Sequence, residues 1–201
     1  MAEVLGPQRL GPLTRFVGDW EGDAGVDLSY HNKDDETGQT SYFEKAWFHP
    51  IPMQENGQQQ LEGLKYGMVA WRHGEEAMEP FHDEVGYLLW DKQRGQVMRA
   101  VVFGRGIAIL AGSSAGPRDR TLHFDATPGD PSYGISQNQY LIERAELRSF
   151  KSSFTFHEDG SLSYSSDLVL KLAALGGKEM HHTDRNTLRL VKRIHPGSDK
   201  T

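Results

Sequence analysis

Two short segments of the sequence carry side chains able to hold a metal or move a proton. In Glu79-Pro-Phe-His82-Asp-Glu-Val-Gly-Tyr87, the two-residue period of an extended chain sets His82, Glu84 and Gly86 on one face. Phe81, Asp83, Val85 and Tyr87 fall on the other. An imidazole beside a carboxylate is a surface pair worth ~0–1 kcal/mol when it faces water. On a cavity wall the same pair aims a polar group at a ligand. The second segment is Met180-His-His-Thr-Asp-Arg-Asn-Thr-Leu188. Adjacent strand residues point to opposite faces, so His181 and His182 do not both grip one metal from regular β geometry. His182, Asp184, Asn186 and Leu188 share one face, and His181, Thr183, Arg185 and Thr187 share the other.

His-x-Asp with a distant His is the ligand set of a 2-His-1-carboxylate iron site. Here it would consist of His182, Asp184 and His82. The plainer alternative is a polar strand whose Asp184, Arg185 and Asn186 hydrogen-bond to their neighbours. The chain holds nine His and no Cys. No disulfide, thiolate nucleophile or Cys-ligated metal is available, so any metal or cofactor depends on His, Met, Tyr, Asp or Glu. His31, His73, His157 and His195 sit among turn or terminal residues, His49 precedes a proline, and His123 lies in an alternating run. We read the first four as solvated and assign none of the six a function.

The net charge is −6 and the basic residues are dispersed, which argues against binding a nucleic-acid backbone. No run approaches the ~20 apolar residues of a membrane span, and the opening MAEVLGPQRLGPL has neither a charged leader nor an apolar core. The expectation is a cytoplasmic protein with no membrane partner.

The elements that must position these residues are strands. Twenty-two Gly separate short runs rich in aromatic and β-branched residues. The pattern predicts strands at 19–30, 38–49, 60–72, 81–91, 95–103, 106–111, 120–126, 139–151, 152–157, 161–172 and 181–194. Turn chemistry stands at Asp91 to Gly95, Gly104-Arg-Gly106 and Glu158-Asp-Gly160, which joins them as an antiparallel meander. Only Leu10 to Val17 and Asp167 to Leu175 look helical. Pro50 to Gln60, Gly112 to Arg120 and Pro128 to Gly134 read as loops, with 113–139 as a loop-rich insertion and 196–201 as a disordered tail.

The fold class expected is all-β: one domain over 1–201, an up-and-down barrel of about ten strands. Leu10, Leu13 and Phe16 precede Gly18-Asp-Trp20-Glu-Gly22, the Gly-x-Trp entry by which lipocalin-like barrels plug their closed end. The plug would occupy 8–18.

Three pieces in order resemble the nitrobindin family of haem-binding barrels, which have the shape of fatty-acid-binding proteins. They are Leu13 through Gly25, Pro80 through Tyr87, and a C-terminal strand with His before Thr187-Leu188-Arg189. The resemblance implies haem b in the barrel mouth, with a C-terminal His as axial iron ligand and His82, Phe81 and Glu84 lining the pocket. It further implies binding of nitric oxide and isomerisation of peroxynitrite to nitrate at ferric haem. A homodimer is a separate expectation for the assembly.

The chain is longer than a typical nitrobindin, and its His-to-Leu spacing is one residue longer. The axial role is thereby divided between His182 and His181. Regular alternation places Leu188 and Leu190 beside His182 and Arg185 and Arg189 beside His181, which favours His182. A bulge in the strand would exchange them. A carrier of fatty acid or another small apolar ligand is the competing reading, with Arg185 and Tyr164 turned inward to take a headgroup.

Overall fold

The computed structural model describes residues 7–75 and 78–194. A 3-10 segment, Pro7–Phe16, leads into β1 (Gly18–His31), β2 (Glu36–Pro50), the two-residue β3 (Gln54–Glu55), β4 (Gln60–Arg72), β5 (His82–Asp91) and β6 (Gln96–Phe103). Then come β7 (Ile107–Ser114), β8 (Thr121–Ala126), the short β9 (Ile135–Gln137), helix α1 (Gln139–Arg144), β10 (Ala145–Phe156), β11 (Leu162–Leu172) and β12 (Lys178–Lys192). The antiparallel order runs β2-β1-β12-β11-β10-β8-β7-β6-β5-β4, and β4 pairs back onto β2. Leaving out β3 and β9, which sit on loops, this is a closed ten-stranded barrel.

Closure removes free sheet edges and leaves each strand one face toward the interior. The hairpin glycines serve as expected: Gly95, Gly106 and Gly160 adopt φ of 60°, 84° and 81°, conformations that cost a residue with a Cβ. Alternation is broken where the register of β1 against β2 shifts between Gly22 and Gly25. Trp20 is buried before the shift and Asp27 after it, so the bulge moves the inward face from even to odd positions.

Three stretches differ from the sequence expectation. Residues 139–144 form a helix, because Asn138 caps it through its side-chain oxygen and Leu141 is buried beneath it. The two strands expected at 139–151 and 152–157 are therefore one, β10, which begins at Ala145. The helical reading of 167–175 gives way to strand through Leu172, with only Ala173–Leu175 turning as 3-10. His195 and the 196–201 tail lie outside the described residues.

The closed end is aromatic. Phe16 packs 4.7 Å from Phe156 and 5.1 Å from Phe48 between ring centroids. Trp20 is buried and donates its indole N–H to the Phe16 carbonyl at 2.7 Å, tying plug to wall. Burial of a ring of this size accounts for roughly 3–5 kcal/mol. The opposite end is the mouth.

Candidate functional site

Inward positions from seven strands build two polar decks above the aromatic floor. The first deck centres on Arg99 of β6, whose face also carries Val97, Val101 and Phe103. Its guanidinium donates to the Tyr66 hydroxyl at 2.8 Å, the Ser152 hydroxyl at 2.8 Å and the Glu84 carboxylate. The rings of Tyr66, Phe150 and Phe154 stand 5.2–5.6 Å from it. Burial would raise the Glu84 carboxyl, but the charges of Arg99 and His82 outweigh it and hold Glu84 down at about 2. Gly86, next on that face of β5, has no room for a side chain, since a Cβ there meets the Ala100 carbonyl and the Tyr66 ring.

The second deck is acidic. Glu44 accepts from the Tyr164 hydroxyl at 2.9 Å and the Asn186 amide at 3.1 Å, while Tyr42 lies 2.7 Å from Tyr164 and donates to Asp184. Burial, then the charge of Asp184, pushes Glu44 up to about 8 against the opposing bonds from Tyr164 and Asn186 and the charge of His82. Asp184 is raised as well, chiefly by burial. An acid raised on folding contributes stability that is complete below its unfolded value, near 4.5, and lost as pH climbs through about 8. Glu44→Gln is therefore expected to flatten the loss of stability between those limits, by on the order of 2–4 kcal/mol at the alkaline end. Thermal unfolding across that range checks it; an equally steep decline in the variant would show that Glu44 ionises normally.

At the mouth stand the two histidines of the sequence motifs. His182 on β12 is inward and half-buried; its Nε2 lies 2.6 Å from Asp27 of β1, which also accepts from Ser29 at 2.6 Å. Burial would raise Asp27, but the hydrogen bond and charge of His182 dominate and hold it below the usual carboxylate range. Nδ1 of His182 has no hydrogen-bond partner among the described residues. His82 on β5 faces it from a strand separated by β1, β2 and β4. Its Nε2 is 3.4 Å from Glu84, and its ring is 5.8 Å from that of Phe103. Burial lowers its pKa, yet Glu84, Asp184 and Glu44 together raise it, which favours imidazolium.

His182, Asp184, Asn186 and Leu188 all face the interior, whereas His181 lies outside, paired with Asp167 at 2.8 Å. β12 pairs with β11 without a register shift, so no bulge exchanges the two histidines. Arg185 points outward while Tyr164 points inward, which separates the pair proposed for a carboxylate headgroup. His82, His182 and Asp184 are not assembled as an iron triad: among the described residues no three His, Asp or Glu side chains converge at metal distance. Phe81 precedes β5 and escapes its alternation. It packs 5.7 Å from the inward ring of Tyr42 with Arg72 above it at 4.8 Å.

Half-buried Phe103, Ile107, Ile135, Leu168 and Leu170 pack against the core from β6, β7, β9 and β11. An apolar wall, with an imidazole steadied on one nitrogen by a carboxylate and free on the other, is a donor set that fits haem.

The model of the THAP4-like haem-binding β-barrel domain matches residues 9–189. The chain belongs to this family. Its fold is that of the nitrobindins, as the three segments imply. The crystal structure of Rv2717c from M. tuberculosis is similar in fold: TM-score 0.62, 19% identity, covering 92% of this chain and 98% of that one. No curated protein matches the chain. Within the family frame, the residues that sequence reading missed are Arg99, Glu44, Tyr42 and Asp27. No helix among the described residues is long and apolar enough to cross a membrane.

Proposed function

We propose that the chain binds haem b in the barrel mouth through His182, and that the ferric form binds nitric oxide and isomerises peroxynitrite to nitrate. The observation that carries the reading is the inward His182 with Asp27 on Nε2, set in a barrel of the haem-binding family. Asp27 fixes the ring and its tautomer, which leaves Nδ1 as the nitrogen for iron. Haem, when bound, supplies the ferric centre at which the peroxynitrite O–O bond rearranges to nitrate. Phe81, packed on Tyr42, and Phe103, packed on His82, would keep water from the mouth.

His82 decides between nitrogen oxides and peroxide. A peroxidase needs a neutral distal base to take a proton from hydrogen peroxide. Against its burial, the ionised Glu84 carboxylate beside Nε2 raises the pKa of His82, which favours the form that attracts an anion such as peroxynitrite over the form that takes a proton. Stopped-flow mixing of the ferric protein with peroxynitrite is expected to give fast decay to nitrate, with little turnover of peroxide plus an organic reductant. Vigorous peroxide turnover that disappears in His82→Ala would replace this function with a peroxidase.

Homodimerisation through the outer face of β2 and β4 to β7 belongs to the same proposal. Val85 pairs with Val102, which pairs with Ala108, and the next row is Tyr87, Ala100 and Leu110. Val85, Tyr87, Val102 and Leu110 are exposed. With Gly67 and Trp47 continuing the first row, this apolar band crosses five strands, about 19 Å at ~4.8 Å per strand. That breadth suits one side of a roughly 800 Å² contact with a second copy. Sedimentation velocity is expected to show a dimer that Val102→Lys dissociates; a monomer at tens of micromolar unsubstituted chain would exclude it.

A further inference from the structure

The closed end of the barrel, opposite the mouth, carries a second concavity. The Pro7–Phe16 segment, the turn after β5 and the loop after β7 enclose a groove of about 730 Å³. Its charged lining residues are Arg9, Lys92 and Arg118, with no carboxylate among them, on a chain whose net charge is −6. Arg9 is committed to Glu62, 2.8 Å away. Lys92 and Arg118 form no ion pair or hydrogen bond with any described residue, so two cations face one groove without a counter-charge.

Trp90 supplies an independent observation. Its side chain is 2% exposed, and its indole lines the groove. A buried indole N–H ordinarily finds an acceptor. Trp20, at the same end, does so through the Phe16 carbonyl. The Nε1–H of Trp90 has no acceptor among the described residues, and since no fully buried side-chain polar atom among them is left unpaired, this nitrogen opens onto the groove. Gly11 meets that nitrogen closely: its φ is +53°, and a Cβ built there would fall 2.6 Å from Nε1. The plug therefore passes the indole at a position where any larger residue would be strained and would crowd the donor.

We propose that this groove binds a small organic phosphate, with the phosphate group held by Lys92 and Arg118 and accepting the Trp90 N–H. Two unpaired cations match the charge of a phosphate dianion, and the guanidinium fork and ammonium are its usual donors. The groove exceeds what a bare phosphate fills, and Ala115 and Pro117 give its remaining wall an apolar surface for the organic part. The site lies at the end of the barrel away from His182 and stands whether or not haem occupies the mouth.

Indole N–H resonances of the four Trp provide the test on the full chain, with that of Trp90 assigned through Trp90→Phe. Titration with glucose 6-phosphate is expected to shift the Trp90 resonance saturably and to leave that of Trp20 in place. Lys92→Gln with Arg118→Gln, both exposed, is expected to weaken binding by at least about tenfold without altering the unfolding transition. Inorganic phosphate at equal concentration should bind more weakly than the sugar phosphate; equal or tighter binding would assign the groove to the free ion instead. A Trp90 resonance unmoved by either, moved equally by sodium chloride of matched ionic strength, or moved undiminished in the double variant would overturn the proposal.

Discussion

His182→Ala is expected to abolish the sharp Soret band that titration with hemin produces in the unsubstituted chain, and His181→Ala to leave it intact. The two residues are adjacent, so the contrast isolates direction from local sequence. His182 shares the interior with Leu188 and the acidic deck, whereas the His181 side chain is 66% exposed and bonded to Asp167 on the outer wall. An outward imidazole reaches haem in the mouth only if the strand slips by one residue, and such a slip would turn every alternate side chain of β12 out of the core. Asp27→Asn preserves shape and removes the carboxylate that steadies His182; loss of such an outer partner lowers metal affinity by ~10–100-fold. The reverse pattern, with the band lost in His181→Ala, would reassign the ligand. Absence of any band in the unsubstituted chain would remove haem from the function.

What made this mouth readable was the two-residue period acting on short stretches. Within β5 and β12 it separates His82 and Glu84 from Val85 and Tyr87, and His182 and Asp184 from His181 and Arg185, as the barrel does. The Gly-x-Trp entry likewise marks the closed end. The period fails where the chain departs from it. Asp27 became the partner of His182 only through the register shift after Gly22, which the glycines of that stretch permit but do not locate. Helix α1 was hidden because Tyr140 and Ile142 have strand-like propensities, while the cap that decides the matter is the single side chain of Asn138.

The buried charges were missed for another reason. Arg99 stands at strand parity with Val97 and Val101, and Glu44 with Tyr42, Ala46 and Phe48, so a charged residue on an apolar face was visible in each. Nothing in the sequence said that such a residue would be satisfied, because the partners of Arg99 lie 15, 33 and 53 residues away along the chain. A charge in a core is tolerated only when the fold brings its partners to it.

Arg99→Met is accordingly expected to destabilise the chain by about 3–5 kcal/mol at neutral pH, since it leaves buried Glu84 with only His82, 3.4 Å away, to balance its charge. Tyr66 and Ser152 would lose their shared donor in the same step. Arg99→Met combined with Glu84→Gln should recover a large part of the loss, as neutral groups of similar size replace the pair. The sign of the pH dependence separates charge from packing. In the unsubstituted chain Glu84 is held at about 2, below its ordinary 4.5, so its contribution is complete above that ordinary value and disappears as pH falls through about 2. Without Arg99, burial pushes Glu84 the other way, and the single variant gains on the unsubstituted chain as the solution is acidified. Urea unfolding at neutral pH and near pH ~4 measures both effects. A single-variant loss below about 1 kcal/mol, or a loss that the second substitution leaves untouched, would mean that Arg99 acts by filling space and that the guanidinium charge is not what holds this deck together.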